Sequence, residues 1–340
     1  MKSSISQIKD MLVKAIRAKL VAIILGPPGL GKSAAARQVA EAFNLYFIDV
    51  RLAQCDPTDL LGFPSTNADG TKACYLPMDT FPIEGDEVPE GYDGWFVFLD
   101  EFNSAPKAVQ AAAYKLTLDG MVGNHKLHPR VAMAAAGNLE TDNAIVEEMS
   151  TALQSRLVHM EMVVNNEEWL DWAVKNEIDH RIVSFIRFKP RVLYTFQPDH
   201  TDRTYACPRT WEFTNRLIHL DDDKVDMSML PLLAGTISEG VAREFITFCK
   251  IYDSLPKIED IVRAPQSITV PQEPSVLFAL TGAISSVMTT KTAENLMTFI
   301  DRLPSEFQVV TLRDAAQRNE ELMKLPAFQG WIAKAAVELF

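Results

Sequence analysis

Val21-Ala22-Ile23-Ile24-Leu25-Gly26-Pro27-Pro28-Gly29-Leu30-Gly31-Lys32-Ser33 is the stretch whose reading decides the fold. Its first five residues are apolar, too few for a helix and right for a buried parallel strand. Gly26, Gly31, Lys32 and Ser33 then satisfy the pattern G-x-x-x-x-G-K-[ST]. Ser33 to Phe43 follows, rich in strong helix formers. Strand, glycine-rich loop and helix in that order are the context this pattern requires. The glycines let the backbone curl so that its N–H groups point at phosphate oxygens, and the helix start adds partial positive charge there. On this reading Gly26, Pro27, Pro28, Gly29, Leu30, Gly31, Lys32 and Ser33 cradle a nucleotide. Lys32 bridges its β- and γ-phosphates, and Ser33 offers a hydroxyl to Mg²⁺.

Working outward, residues 5–20 carry an apolar stripe at helical spacing (Ile5, Ile8, Met11, Leu12, Ile16, Leu20). Tyr46 to Leu52 reads as a second strand. Residues 63–94, dense in Pro, Gly, Asp and Thr, read as a long irregular segment of the kind that carries function. Trp95-Phe96-Val97-Phe98-Leu99-Asp100-Glu101 is a buried strand ending in two carboxylates, suited to face a nucleotide. There Asp100 would hold Mg²⁺ and Glu101 would act as general base on the attacking water. Pro106 opens a helix that runs to Leu118, and residues 119–130 read as a β-hairpin or a loop. His125 and His128 in that hairpin lack an acidic or thiol neighbour and read as solvated rather than as metal ligands. Arg130 to Asn138 is a fourth strand, with Asn138 placed to bond the γ-phosphate or the lytic water. A helix at about 144–153 and a fifth strand at Leu157–Val164 complete an α/β part ending near residue 165.

From residue 166 the pattern turns helical. Trp169–Val174, Ile182–Phe188 and a helix starting near Pro208 are followed by a long periodic run, Met227–Leu255. Pro256, Pro265, Pro271 and Pro274 mark residues 256–275 as a linker. A last helical block runs to Phe340. The expected organisation is 1–165 nucleotide-binding, 166–255 helical lid, and 256–340 a C-terminal helical region.

Composition narrows the classes. The chain holds 33 basic and 45 acidic residues, a net charge of −12, which argues against broad nucleic-acid binding while leaving room for a local basic groove. Its four cysteines are scattered, without C-x-x-C spacing, as in a reducing compartment. No run of about 18 apolar residues is present and the first ten residues have no signal-peptide core, so a cytoplasmic location is expected.

The motifs taken together resemble the AAA+ ATPases, and within them the MoxR-like branch. Gly26–Ser33 resembles Walker A and Phe96–Glu101 Walker B. Asp100-Glu101-Phe102-Asn103-Ser104-Ala105-Pro106 is similar to the branch's Asp-Glu-Ile-Asn-Arg-Ala-Pro signature, with Ser104 in place of Arg. Asp59-Leu60-Leu61-Gly62 resembles its Asp-Leu-Leu-Gly motif. Asn138 falls at sensor 1, followed by Leu139 where the family often has Pro. Arg156 falls at the arginine finger, and Cys207-Pro208-Arg209-Thr210 resembles the Ser-Pro-Arg-Ala sensor 2 motif, making Arg209 that arginine.

The resemblance implies a P-loop α/β fold: a five-stranded parallel sheet with helices on both faces, then an α-helical lid. It implies ATP and Mg²⁺ as ligands, and Glu101, Asn138, Arg156 and Arg209 as catalytic residues. It also implies a homo-oligomeric, hexameric ring in which Arg156 acts on the neighbour's ATP. A protein client or a partner with a von Willebrand factor A domain is the expected target. The alternative is a nucleic-acid-directed AAA+ ATPase of the helicase-loader or translocase type.

Overall fold

The computed structural model describes residues 2–142, 146–220 and 224–339. The chain divides into two units: Met1–Asn165 with Gln197–Asp199, and Asn166–Phe196 with His200–Phe340.

The first unit begins with β1 (Lys2–Ser3), α1 (Ile5–Arg17), β2 (Ala22–Leu25), α2 (Lys32–Ala42) and β3 (Leu45–Arg51). α3 (Pro57–Leu61), the strands β4 (Phe63–Thr66) and β5 (Ala73–Leu76), then β6 (Gly94–Asp100) and α4 (Lys107–Asp119) follow. β7 (Met121–Val122), β8 (His125–Lys126), β9 (Val131–Gly137), α5 (Thr151–Gln154) and β10 (Val158–Met162) complete it. The main sheet is parallel, in the order β1-β10-β2-β9-β6-β3. It has six strands, not the five expected. The sixth, β1, pairs Lys2 with Glu161 and Ser3 with Met162, and Val163 N–H donates to Ser3 O at 2.9 Å. Two residues are too few to carry a strand's alternation, so nothing in the sequence pattern announces it.

Alternation decides which face each strand residue takes. Ile23, Val97, Leu99 and Ala135 pack with Val109, Ala112, Ala113 and Leu116 of α4 in one cluster. On β6 the alternate residues Phe96 and Phe98 instead stack with Phe47, over which the Arg37 guanidinium of α2 lies at 4.3 Å. Trp95 to Leu99 are all buried, whereas the closing Asp100 is half-buried. The hydrophobic run thus stops where the strand delivers its carboxylate.

Two local expectations change. The segment 63–94 contains an antiparallel hairpin, β4–β5, with Phe63 opposite Leu76 and Thr66 opposite Ala73. The Asn67 side chain closes its turn, accepting from Thr71 N (2.9 Å) and Lys72 N (3.2 Å). The helix expected at 144–153 appears among the described residues only as α5; residues 143–145 lie outside them.

The second unit contains α6 (Asn166–Lys175), α7 (His180–Phe188), α8 (Pro208–Leu220), α9 (Leu230–Ile237) and α10 (Glu239–Cys249). α11 (Ile258–Arg263), α12 (Pro274–Val287), α13 (Ala293–Ile300), α14 (Ser305–Arg318) and α15 (Pro326–Leu339) follow. The periodic run 227–255 is not continuous: Ser238, at φ 74°, turns the chain between α9 and α10. The proline-rich stretch 256–275 is not a free linker. It forms α11, whose Ile261 is fully buried among Leu280, Ile284, Leu296 and Phe299. α12 approaches α7 so closely that a Cβ on Gly282 would lie 2.0 Å from Ser184 Oγ. Arg187 of α7 grips Asp314 of α14 through two hydrogen bonds, one of 2.8 Å from Nη2 to Oδ1.

Candidate active site at the strand ends

β2, β9 and β6 are neighbours in the sheet and run the same way, so their carboxyl ends bring Gly26, Asn138 and Asp100 to one edge. Ligands of open parallel sheets bind there. Gly31 caps α2 at φ 91°, a conformation that costs glycine little and other residues more. Gly26 has no room for a side chain, since a Cβ would lie 2.8 Å from Met162 O. The loop is therefore shaped by its backbone, and the Gly26 N–H ties its start to β9 by donating to Gly137 O at 3.3 Å.

The Lys32 ammonium folds back over the loop. It donates to Gly26 O (2.5 Å) and Pro27 O (3.0 Å), and reaches across to Asn138 Oδ1 at 3.3 Å. Ser33 Oγ donates to Asp100 Oδ2 at 2.9 Å. A hydroxyl and a carboxylate that close together suit Mg²⁺, which takes hard oxygen ligands, keeps several waters and uses only one or two carboxylates. Asp49 stands on the same face of the sheet, one strand over. Burial pushes its carboxyl above the usual range, the charge of Asp100 adds to that, and Arg51 and Arg37 oppose it. The acidic pair is chemistry that a divalent cation relieves, so these residues fit the ion.

Glu101 is half-buried and sits at φ 55°, ψ 35°, with its N–H donated to Asp100 Oδ1 at 2.9 Å. The left-handed turn redirects the chain out of β6 into the short 3₁₀ turn Phe102–Ser104.

Arg156 is exposed. Its guanidinium lies 4.6 Å over the Tyr114 ring, and Nη1 donates to Ala152 O at 2.5 Å. Arg209 belongs to the second unit, exposed in the first turn of α8. Lys32, Ser33, Asp100 and Asn138 are thus joined directly, whereas Arg156 stands apart on a surface of the first unit. His125 Nε2 lies 3.1 Å from Tyr75 O, and His128 Nδ1 accepts Arg130 N–H at 3.1 Å while its ring packs on Trp95.

Two residues at the edge have no task assigned from the sequence. Asn103, 4% exposed, donates Nδ2–H to Asn138 O at 2.8 Å and accepts Asn138 N–H at 3.0 Å. Asp142 is buried and accepts Leu139 N–H at 3.1 Å. Burial raises its carboxyl above the usual range, and the Leu139 bond and the Lys32 charge pull the other way. The available signal for Asp142 was only a general acidity of residues 139–150; Asn103 had its place in the Asp100–Pro106 signature but no assigned task.

Residues 22–157 match the family model of the AAA domain, dynein-related subfamily. No curated protein matches the sequence. Among solved structures, a RuvB mutant from Thermotoga maritima is 16% identical with a TM-score of 0.40, covering 82% of each chain. The T. maritima RuvB Holliday junction branch migration motor is 17% identical at a TM-score of 0.37, covering 82% of this chain and 80% of that one. A Cytophaga hutchinsonii protein described as a "putative ATPase" is 15% identical at a TM-score of 0.35, covering 90% of this chain and 79% of that one. At these scores none of the three bears on the partners or activity of this chain. The family match and the strand-end geometry agree on the fold: residues 22–157, which match the AAA domain model, form a parallel α/β sheet with a phosphate-loop pattern at its carboxyl edge.

Proposed function

We propose that the chain binds ATP with Mg²⁺ at the edge of β2, β9 and β6 and hydrolyses it, and that it does so as a ring that remodels or activates a protein partner. The observation that carries this reading is the bonded set at three adjacent strand ends: Lys32 to Asn138, and Ser33 to Asp100. When bound, ATP would supply the phosphoryl group and Mg²⁺, held by Ser33 and Asp100, would offset the negative charge of the phosphates.

The remaining work falls to the chain. The loop Gly26 to Ser33 holds the phosphates, chiefly through the N–H groups after Pro28, and Lys32 exchanges its carbonyl partners for phosphate oxygens. Ser33 and Asp100 hold the ion. Glu101 takes the proton of the attacking water, and Asn138 orients that water. Arg156, exposed and stacked on Tyr114, is available to a neighbouring subunit's site, where a guanidinium stabilises charge on the transferring group. Arg209, at the start of α8, serves as the sensor of the helical lid. Completion of the site in trans makes turnover depend on assembly, most simply in a hexamer.

The four cysteines are free, and no helix among the described residues is long and apolar enough to cross a membrane. We assign the ring to the cytoplasm, with a protein client or a von Willebrand factor A-type partner.

The test is steady-state ATP turnover with and without DNA, in wild type, Lys32→Ala and Glu101→Gln. DNA-independent turnover lost in both variants, with Glu101→Gln still holding ATP, is the expected result. Wild-type turnover by Glu101→Gln overturns the assignment of the base. Stimulation by DNA favours the nucleic-acid-directed alternative. Protein captured by Glu101→Gln in ATP then identifies the client.

A further inference from the structure

We infer that Asn103 is a positioning residue that fixes Asn138 in register with Lys32; the inference rests on the ATPase reading above. The Asn103 side-chain amide meets the backbone of Asn138 from both sides, donating to its carbonyl at 2.8 Å and accepting its N–H at 3.0 Å. The pairing copies one rung of a sheet ladder, at the point where β9 has no further strand partner to hold it. Asn138 Oδ1 then lies 3.3 Å from Lys32 Nζ.

The geometry leaves little slack. Asn103 is 4% exposed, and a Cβ on Gly137 would lie 2.3 Å from Asn103 Oδ1. The strand residue before Asn138 therefore has to be glycine for the amide to reach past it. Asn103 also ties in the next segment, since its own carbonyl accepts Glu147 N–H at 2.7 Å. One buried amide thus holds the end of β9, and its backbone holds the chain that leads through α5 toward Arg156. Among the described residues the Asn103 side chain hydrogen-bonds the Asn138 backbone, so its effect on hydrolysis is routed through Asn138.

A mutant cycle tests the route. Asn103→Ala is expected to lower kcat about 10- to 100-fold, while ATP affinity, read by a fluorescent nucleotide, changes less than about threefold. On an Asn138→Ala background the same substitution is expected to cost no further turnover. Equal losses in both backgrounds, or affinity falling in step with kcat, overturn the inference.

A readout without turnover separates this inference from the ATPase reading. In wild type the Asn138 amide is expected to be protected from hydrogen exchange. That protection is lost in Asn103→Ala and retained in Asn103→Asp, whose carboxylate still accepts the N–H. Absence of turnover in wild type with this exchange pattern intact refutes the ATPase reading alone. Unchanged protection in Asn103→Ala refutes the positioning role. If Asn103→Ala does not fold, Gly137→Ala replaces it: the intruding methyl has to displace the Asn103 amide, with the same exchange and kcat signatures expected and their absence equally fatal.

Discussion

Lys32 and Asp100 in the first unit are half open to solvent and take neutral partners, the ammonium on two carbonyls and an amide, the carboxylate on a serine hydroxyl. Arg187 and Asp314 in the second unit are 8% and 3% exposed and are joined to each other by two hydrogen bonds. Charges of the first kind can change partners when a ligand arrives. Charges of the second kind are held within a sealed cluster, where Arg313 also lies 3.9 Å from Asp314, and removing one leaves its buried partner without its hydrogen bonds. Charge next to a glycine-shaped loop therefore indicates chemistry, and sealed charge indicates a clasp between helices.

The sharpest way to break this comparison is Arg156→Ala. Turnover is expected to fall about 10³- to 10⁵-fold, with the thermal midpoint nearly unchanged, because the side chain is exposed. Mixing it with Lys32→Ala subunits restores part of the activity when one interface combines an intact loop with an intact arginine. No recovery at any ratio counts against completion in trans.

Asp314→Ala tests the clasp. It leaves Arg187 buried without its partner and is expected to cost about 3–5 kcal/mol in urea unfolding, whereas replacing both residues by Met and Leu is nearly neutral. A loss below about 1 kcal/mol for the single variant would mean that water already reaches the pair.

The pH dependence of stability sharpens the same contrast. Burial pushes the Cys249 thiol up from the ordinary 9.0 to about 12. Its folded value lies above its unfolded one, so the stabilisation is complete below pH 9 and is lost as pH rises toward 12. The slope from this group is about 1.4 kcal/mol per pH unit. Chemical denaturation between pH 8 and 11 should show that slope reduced in Cys249→Ala.

The smallest effect belongs to Glu239, paired with Arg243 one helical turn on, at 65% and 54% exposure. Glu239→Ala should change stability by about 0.5 kcal/mol or less, and that little should vanish in high salt.

What could be read from the sequence follows the same division. Val21–Ser33 and Trp95–Glu101 are local: each motif and the element that presents it are contiguous, so the site could be read before the fold. The Ser33–Asp100 and Lys32–Asn138 bonds connect residues distant in sequence, yet the strand-end rule already brings them together. β1 was not legible because two residues carry no period. The β4–β5 hairpin had its signal in Asn67-Ala68-Asp69-Gly70, hidden inside a stretch whose general polarity suggested an irregular loop. The prolines at 256–275 suggested a break in packing, but Pro restricts the backbone without deciding burial, and Ile261 anchors the segment. Asn103 had a place in the signature after β6 but no task, because only the backbone it meets, 35 residues later, gives it one.

The conformation of Glu101 has a consequence for how such a protein changes over time. At φ 55° a residue with a Cβ pays roughly 1–2 kcal/mol that glycine does not. Glu101→Gly would therefore yield a sturdier molecule without the base proposed above. A library screened for heat resistance alone is expected to drift toward glycine here, whereas one selected on turnover is expected to keep glutamate if Glu101 is the proposed base.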